Sequence, residues 1–259
     1  PAMNAWTGCR HDVTLADRAP RTCTWGDAGA DQVAVVIGDS VAASWTSSIA
    51  AALVPRGWKV VALTYGGCSA ADVAARGRDT GPDFVEQCHR SRDRMFDLVR
   101  TANPDLAILA SGMNLFDALD EAPGGSAESA WRSGTARALQ RVSASAATTV
   151  VLGNPPVGRP PAECAARTLS PASCLTELDP RQSAKDEAER LATLAAAQAG
   201  QKARFIEATH WFCSTSRSCP AFVGDELVRG DRTHITNRMG LQLRGVVGTE
   251  LVGTELTAK

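Results

Sequence analysis

The chain has 259 residues, 44% of them hydrophobic, and a formal net charge of -1. This length favours one large α/β core over two small ones, and the near-neutral balance without any Lys/Arg tract excludes the footprint of a nucleic-acid binder. No apolar run reaches the roughly 18 residues of a membrane span, and Pro1-Ala2-Met3 opens no signal peptide, so the chain reads as an excised or mature soluble piece.

Residues 1–30 are polar and lack clear periodicity; they read as a disulfide-pinned N-terminal extension, with 31–259 as the domain proper. Val33 to Ile37 is a short, mostly β-branched run suited to a parallel strand covered on both faces. Gly38 stops it, and a helix over Ala42–Val54 follows, placing Ser40 where a central strand hands over to a helix N-terminus. A second strand, Lys59 to Tyr65, ends at Gly66-Gly67-Cys68, and residues 69–87 read as a polar loop. A helix over Arg92–Ala102 is stopped by Asn103-Pro104. Leu106 to Ala110 is the third strand, with Ser111-Gly112-Met113-Asn114 directly past its end. The pattern continues with a helix over 126–146, a strand at Thr149–Leu152, an exposed Ala-rich helix over Ser183–Gln198, a short strand at Ala203–Ile206 and a last helix over about 236–247. Regular alternation of strand and helix predicts a doubly wound, five-stranded parallel sheet with helices on both faces.

The eight cysteines fall as neighbours: Cys9 with Cys23, Cys68 with Cys88, Cys164 with Cys174, Cys213 with Cys219. Their loop-like settings predict disulfides formed in sequence order in an oxidising compartment, although eight cysteines allow 105 connectivities. Zinc is the weaker reading, since no Cys-x-x-Cys occurs and the histidines lack ligand spacing; no metal or organic cofactor is expected.

Serine-based acyl transfer needs a base, a carboxylate that fixes the imidazole tautomer, and donors where the oxyanion develops. Asp231 and His234 are three apart and share one side of a single turn. Ser40 is therefore the expected nucleophile, His234 the base and Asp231 its orienting acid. The Ser40 N–H, a backbone N–H at Gly66 or Gly67, and the Asn114 amide are the expected oxyanion donors. The plainer alternatives are a helix cap at Asp231 and turn formers at Asn114 and the two glycines. His11, His89 and His210 lack a comparable partner by spacing and read as surface or structural; Trp6, Trp25, Trp131 and Trp211 read as packing residues.

The order Gly38-Asp39-Ser40, Gly67, Gly112-Met113-Asn114 and Asp231-Arg232-Thr233-His234 resembles the SGNH (GDSL-like) hydrolases. With the Gly-Gly-Cys turn, the Cys88 segment and Trp211-Phe212-Cys213 through Cys219-Pro220-Ala221, it looks like the extracytoplasmic SGNH domain fused after an acyltransferase family 3 membrane domain. The resemblance implies a flavodoxin-like α/β/α sandwich and a triad of Ser40, His234 and Asp231. It also implies O-acylation, most simply O-acetylation, of a bacterial cell-envelope glycan: the membrane domain supplies the acyl group and a sugar hydroxyl accepts it. The domain would sit on the periplasmic or cell-surface side of the membrane, as a monomer. The family's Gly-x-Asn-Asp block here ends Asn114-Leu115, a departure that bears on Asn114. A secreted SGNH carbohydrate esterase and a non-catalytic glycan-binding domain are the alternatives.

Overall fold

A computed structural model of the chain describes residues 21–77, 80–119, 126–164 and 171–253. Cys9, Trp6 and His11 therefore lie outside the described residues, and with them the expected Cys9–Cys23 pairing and most of the segment 1–30 read as an extension.

The elements in chain order are β1 (Arg21–Trp25), β2 (Gln32–Gly38), α1 (Ser40–Leu53), β3 (Trp58–Thr64), α2 (Phe84–Ala102), β4 (Leu106–Ala110), α3 (Asn114–Leu119), α4 (Ala127–Ser143) and β5 (Thr148–Leu152). They continue with α5 (Pro161–Cys164), β6 (Thr176–Glu177), α6 (Pro180–Gln198), β7 (Ala203–Ile206), β8 (Ser218–Cys219), β9 (Phe222–Val223), β10 (Glu226–Leu227) and α7 (Asn237–Val252). The main sheet runs β1-β3-β2-β4-β5-β7. Five of its strands are parallel, in the order of a flavodoxin-like sheet. The sixth, β1, pairs antiparallel with β3, from Arg21 opposite Thr64 to Trp25 opposite Val60.

The alternation of side chains along β2 explains the three layers. Val35 and Ile37 enter a core shared with α2, α4 and α6, while Ala34 and Val36 enter one shared with α1 and α7. Val35, Val36 and Ile37 are fully buried, each contributing about 1.5–3 kcal/mol on transfer from water. On the second face α1 and α7 pack closely because glycines remove side chains at the crossing. A Cβ on Gly240 would lie 2.0 Å from the Ser47 Oγ, and one on Gly248 would lie 3.2 Å from the Ala52 Cβ. This contact carries the segment just before α7 to the N-terminal end of α1.

The structure corrects several expectations. The sheet has six strands, not five, because Thr22-Cys23-Thr24-Trp25 adds a β-branched and aromatic edge within the segment read as an extension. Helix α2 begins at Phe84, well before Arg92, so the end of the expected 69–87 loop, from Phe84 on, is instead helical; Phe84, Cys88, Arg92, Met95 and Val99 form one buried stripe among charged residues. The start of that loop is packed rather than solvated, with Ser69, Ala70, Ala71, Val73 and Ala75 all buried. Helix α6 is not an exposed helix. It buries Gln182, Lys185, Asp186 and Glu189 beside Ala188 and Ala192, and its ion pair, Lys185 Nζ to Glu189 Oε1 at 2.7 Å, is fully enclosed.

Cysteine pairing follows sequence order in part. Cys68–Cys88 and Cys213–Cys219 are disulfides. Cys164 and Cys174 are buried free thiols, contrary to the expected bridge, and the Cys174 Sγ lies 3.6 Å from the Cys164 carbonyl oxygen. Burial and the neighbouring Cys174 thiol push the Cys164 thiol up to about 11. Cleaving Cys68–Cys88 by a Cys88→Ser change is expected to cost about 3 kcal/mol, the usual magnitude for a loop of this span. The shift in urea midpoint, and its disappearance when both proteins are unfolded under reducing conditions, checks it.

The buried layer on α6 predicts an unusual pH dependence. The Asp186 carboxyl is pushed up to about 8, first by burial, with Lys185 opposing and Glu189 and Glu207 reinforcing the rise. Unfolded, it titrates near 3.8. Between these values the folded chain keeps a proton that the unfolded chain has released, so stability declines as pH rises from about 4 to about 8 and levels off above. The expected decline is a few kcal/mol, and Asp186→Asn, which copies the neutral form, should flatten it and raise stability at pH 8. Urea titrations at pH 5 and pH 8 test both statements.

Candidate active site

Three loops leave the carboxyl ends of parallel strands at one sheet edge. β2 and β4 are neighbours there, and the chain crosses to opposite faces from them, which makes the crevice between them the topological switch point of the sheet. Ser40 is the first residue of α1, separated from the end of β2 by Asp39 alone, so its N–H has no acceptor within the helix. Asp39 caps that helix: its Oδ1 accepts from the Val41 N–H at 2.8 Å, and its Oδ2 accepts from the Gly112 N–H at 2.8 Å. One carboxylate thus fixes the Ser40 turn against the loop that follows β4. Asp39 is fully buried, and burial raises its pKa against the lowering effect of those two N–H groups and of Lys185 and His234.

Ser40 and His234 lie 194 residues apart, yet the Ser40 Oγ is 2.7 Å from the His234 Nε2. On the other side of the ring the His234 Nδ1 is 2.6 Å from the Asp231 Oδ2. These partners assign the proton to Nδ1 and leave Nε2 as acceptor for the serine hydroxyl. The Asp231 Oδ1 accepts from the backbone N–H groups of Thr233 and His234, each at 2.8 Å, which closes the turn. Partial burial alone would raise the Asp231 pKa, but the His234 and Thr233 hydrogen bonds outweigh it and hold the carboxyl below its ordinary value. The turn is anchored on both sides, by an Arg229–Ile235 bridge and by the Gly230 N–H donating to the His234 carbonyl at 2.9 Å.

Of the two adjacent glycines, Gly67 is the one in the left-handed region, at φ +74, and it faces Asn114. The Asn114 Nδ2 is 3.4 Å from the Gly67 carbonyl oxygen, so the amide and the β3-end turn sit together. Among the described residues the Gly67 N–H donates to no protein acceptor. Asn114 begins α3 two residues past Gly112, and the Asp39 bond to Gly112 fixes the spacing between this segment and Ser40.

Sequence reasoning missed Asp39 as a connector, although it lies inside the Gly-Asp-Ser motif. It also took His210 to lack a partner, whereas the Glu207 Oε2 sits 3.0 Å from the His210 Nδ1 with the same three-residue spacing as Asp231 and His234. No serine hydroxyl is bonded to His210 among the described residues. Trp211 packs edge-on against Trp45 at 5.8 Å, and Trp131 is fully buried with its Nε1 donating to the Glu189 Oε1. Both are packing residues, as expected. Among the described residues no group of His, Cys, Asp and Glu could hold a metal ion, and no helix is long and apolar enough to cross a membrane.

A flavodoxin-like sheet with a serine, an imidazole and a carboxylate in one hydrogen-bonded line at its switch point defines the class of SGNH-type hydrolases and acyltransferases. The chain belongs to the family of SGNH domains fused to AT3 domains, whose model matches residues 8–248. No curated protein matches the sequence. Among solved structures, the fold is similar to the periplasmic domain of a lipopolysaccharide acetyltransferase of Salmonella ser. Paratyphi A, with 14% identity, a TM-score of 0.63, and 85% of this chain and 84% of that one covered. A family two carbohydrate esterase from Clostridium thermocellum has 10% identity and a TM-score of 0.55, covering 86% of this chain and 64% of that one. An acetyl-xylooligosaccharide esterase from Geobacillus has 12% identity and a TM-score of 0.51, over 89% and 98% of the two chains.

Proposed function

We propose that this domain is a serine-dependent O-acyltransferase, most simply an O-acetyltransferase, that passes an acyl group through an ester on Ser40 to a hydroxyl of an extracytoplasmic bacterial glycan. The observation that carries the reading is the continuous line Asp231–His234–Ser40, at 2.6 and 2.7 Å. The His234 Nε2 takes the Ser40 proton as the Oγ attacks the acyl carbonyl; as the tetrahedral adduct collapses, the bond between the acyl carbon and the donor's leaving group breaks, that group leaves with the proton from Nε2, and His234 is neutral again, while Asp231 holds the imidazole upright and offsets its transient charge. The N–H groups of Ser40 and Gly67 and the Asn114 Nδ2 receive the oxyanion; a donor of this kind is worth about 2.7–4 kcal/mol of barrier where it has been measured. In the second step His234 deprotonates the sugar hydroxyl that attacks the acyl-enzyme, and Ser40 recovers its proton as the ester breaks. Membership in a family fused to AT3 domains supports an upstream membrane acyltransferase domain as the acyl source and a location outside the cytoplasm.

The esterase structures among the neighbours favour one second reading, in which water replaces the sugar hydroxyl. A fluorophosphonate probe tests what the two readings share: one adduct per chain, mapped to the Ser40 peptide and absent in Ser40→Ala. Unchanged labelling in Ser40→Ala rejects the nucleophile. Acyl transfer to glycan by the full-length protein, against acid release without transfer, separates transferase from esterase.

A further inference from the structure

A cavity of about 690 Å³ opens beside the triad's acid, lined by Gly158, Arg159, Glu163, Glu177, Arg217 and Arg232 among others. Arg232 follows Asp231 directly, and its carbonyl accepts from the Gly158 N–H at 2.9 Å, so the wall of this cavity and the turn holding Asp231 and His234 are one structure. A second cavity of about 440 Å³ shares Leu178 and Arg217 with the first and continues past Asp186, Glu207 and His210. The two meet at Leu178 and Arg217. Each has the size of a site for an extended organic ligand rather than for one small group.

The walls are built for hydroxyls. Guanidinium, carboxylate and hydroxyl groups line this groove together: Arg217 donates to the Ser183 Oγ at 2.9 Å, and Arg159, Arg217 and Arg232 make no ion pair among the described residues although Glu163, Glu177 and Asp179 line the same space. Two features mark the groove as more than a surface crease. Arg217, the shared wall, is held at φ 64 inside the six-residue span of the Cys213–Cys219 disulfide, a conformation unfavourable to a residue with a Cβ. Asp186, on the floor of the second cavity, is buried with its Oδ1 lacking any hydrogen-bond partner.

We infer that this groove holds the units of an oligosaccharide that flank the reacting sugar, so that the domain acts on a glycan chain of several residues and not on a single sugar. The inference rests on the proposed acyl transfer at Ser40 for its placement, but the groove is testable without chemistry. Ser40→Ala protein, which cannot turn over, is titrated calorimetrically with neutral xylo-oligosaccharides, amino-bearing chito-oligosaccharides and oligogalacturonides of one to four units. At least one series should tighten tenfold or more from one unit to three. In Ser40→Ala, adding Arg217→Gly, which relieves the backbone while removing the side chain, or Arg159→Gln, should cancel that gain. In the Ser40-containing protein the same two changes should leave hydrolysis of p-nitrophenyl acetate within twofold. Affinity independent of length in all three series, or a length gain that survives both changes, overturns the groove. Loss of small-ester hydrolysis in both groove variants, with fold intact by circular dichroism, also overturns it by assigning these arginines to the triad's support. Absence of Ser40-dependent ester cleavage alongside length-dependent binding would instead reject the proposed chemistry and leave the groove standing.

Discussion

Ser40→Ala and His234→Ala are each expected to lower kcat/KM for p-nitrophenyl acetate by about 10³–10⁶-fold and to leave the thermal midpoint within a few degrees. The two losses should be of similar size, and the double variant should be little worse than either, because a hydroxyl without its base and a base without its hydroxyl fail at the same step. Asp231→Asn is expected to cost about as much as a wrong tautomer costs in other Ser-His-Asp sites, roughly 10⁴-fold. The Asp231 Oδ2 accepts from Nδ1 at 2.6 Å, and an amide nitrogen there would present a proton to a proton. Steady-state kinetics of the purified domain over pH 5 to 9 measure all of this. Wild-type rates in Ser40→Ala would end the proposal, and wild-type rates in Asp231→Asn would confine the acid to shaping the turn through Thr233 and His234.

Much of this arrangement was legible because local signals were strong. The run Val33 to Gly38, Gly66-Gly67 and Ser111 to Asn114 each pair a strand with a breaker, and parallel strands must end at one edge; hence three loops were expected to converge, and they do. The Asp231–His234 spacing was readable because a turn places positions three apart on one side. The rest depended on tertiary partners. Helix α2 was shortened in the sequence reading because Glu86 to Arg94 is almost wholly charged or polar, and only the buried face at Cys88 and Arg92 shows that it packs. Arg92 is buried against the Ser69 carbonyl and the Asp72 carboxylate, a pairing that composition cannot reveal. The polar layer of α6 was read as solvent-facing for the same reason: Lys185 and Glu189 neutralise one another inside the protein. Strand β1 is visible only once β3 is known to have a free edge.

Asp39 shows how closely the site depends on the sheet beneath it, and Gly38 is where that dependence is sharpest. Gly38 has φ +147, and a Cβ there would lie 1.9 Å from the Ala110 carbonyl oxygen and 2.9 Å from the Ala42 Cβ. Ala110 is the direct partner of Gly38 across β2 and β4, so the obstructing atom is backbone that cannot rotate away. Admitting a methyl requires the two strands to part at the point where Asp39 bridges them to Gly112. Gly38→Ala should therefore lose more than about 4 kcal/mol of stability or fail to accumulate as soluble protein, a size reserved for substitutions that break a core contact. Gly57 supplies the control. It has φ +84 with nothing within 4 Å of its Cβ position, so Gly57→Ala meets only backbone strain, about 1–2 kcal/mol. Urea unfolding of the two variants separates steric obstruction from strain. Where Gly38→Ala folds, its kcat should fall while Gly57→Ala keeps wild-type activity, because parting β2 from β4 moves Ser40 away from the Gly112–Asn114 segment. Equal destabilisation in the two variants would mean that the switch point yields easily, and the close register of the three loops would then owe nothing to Gly38.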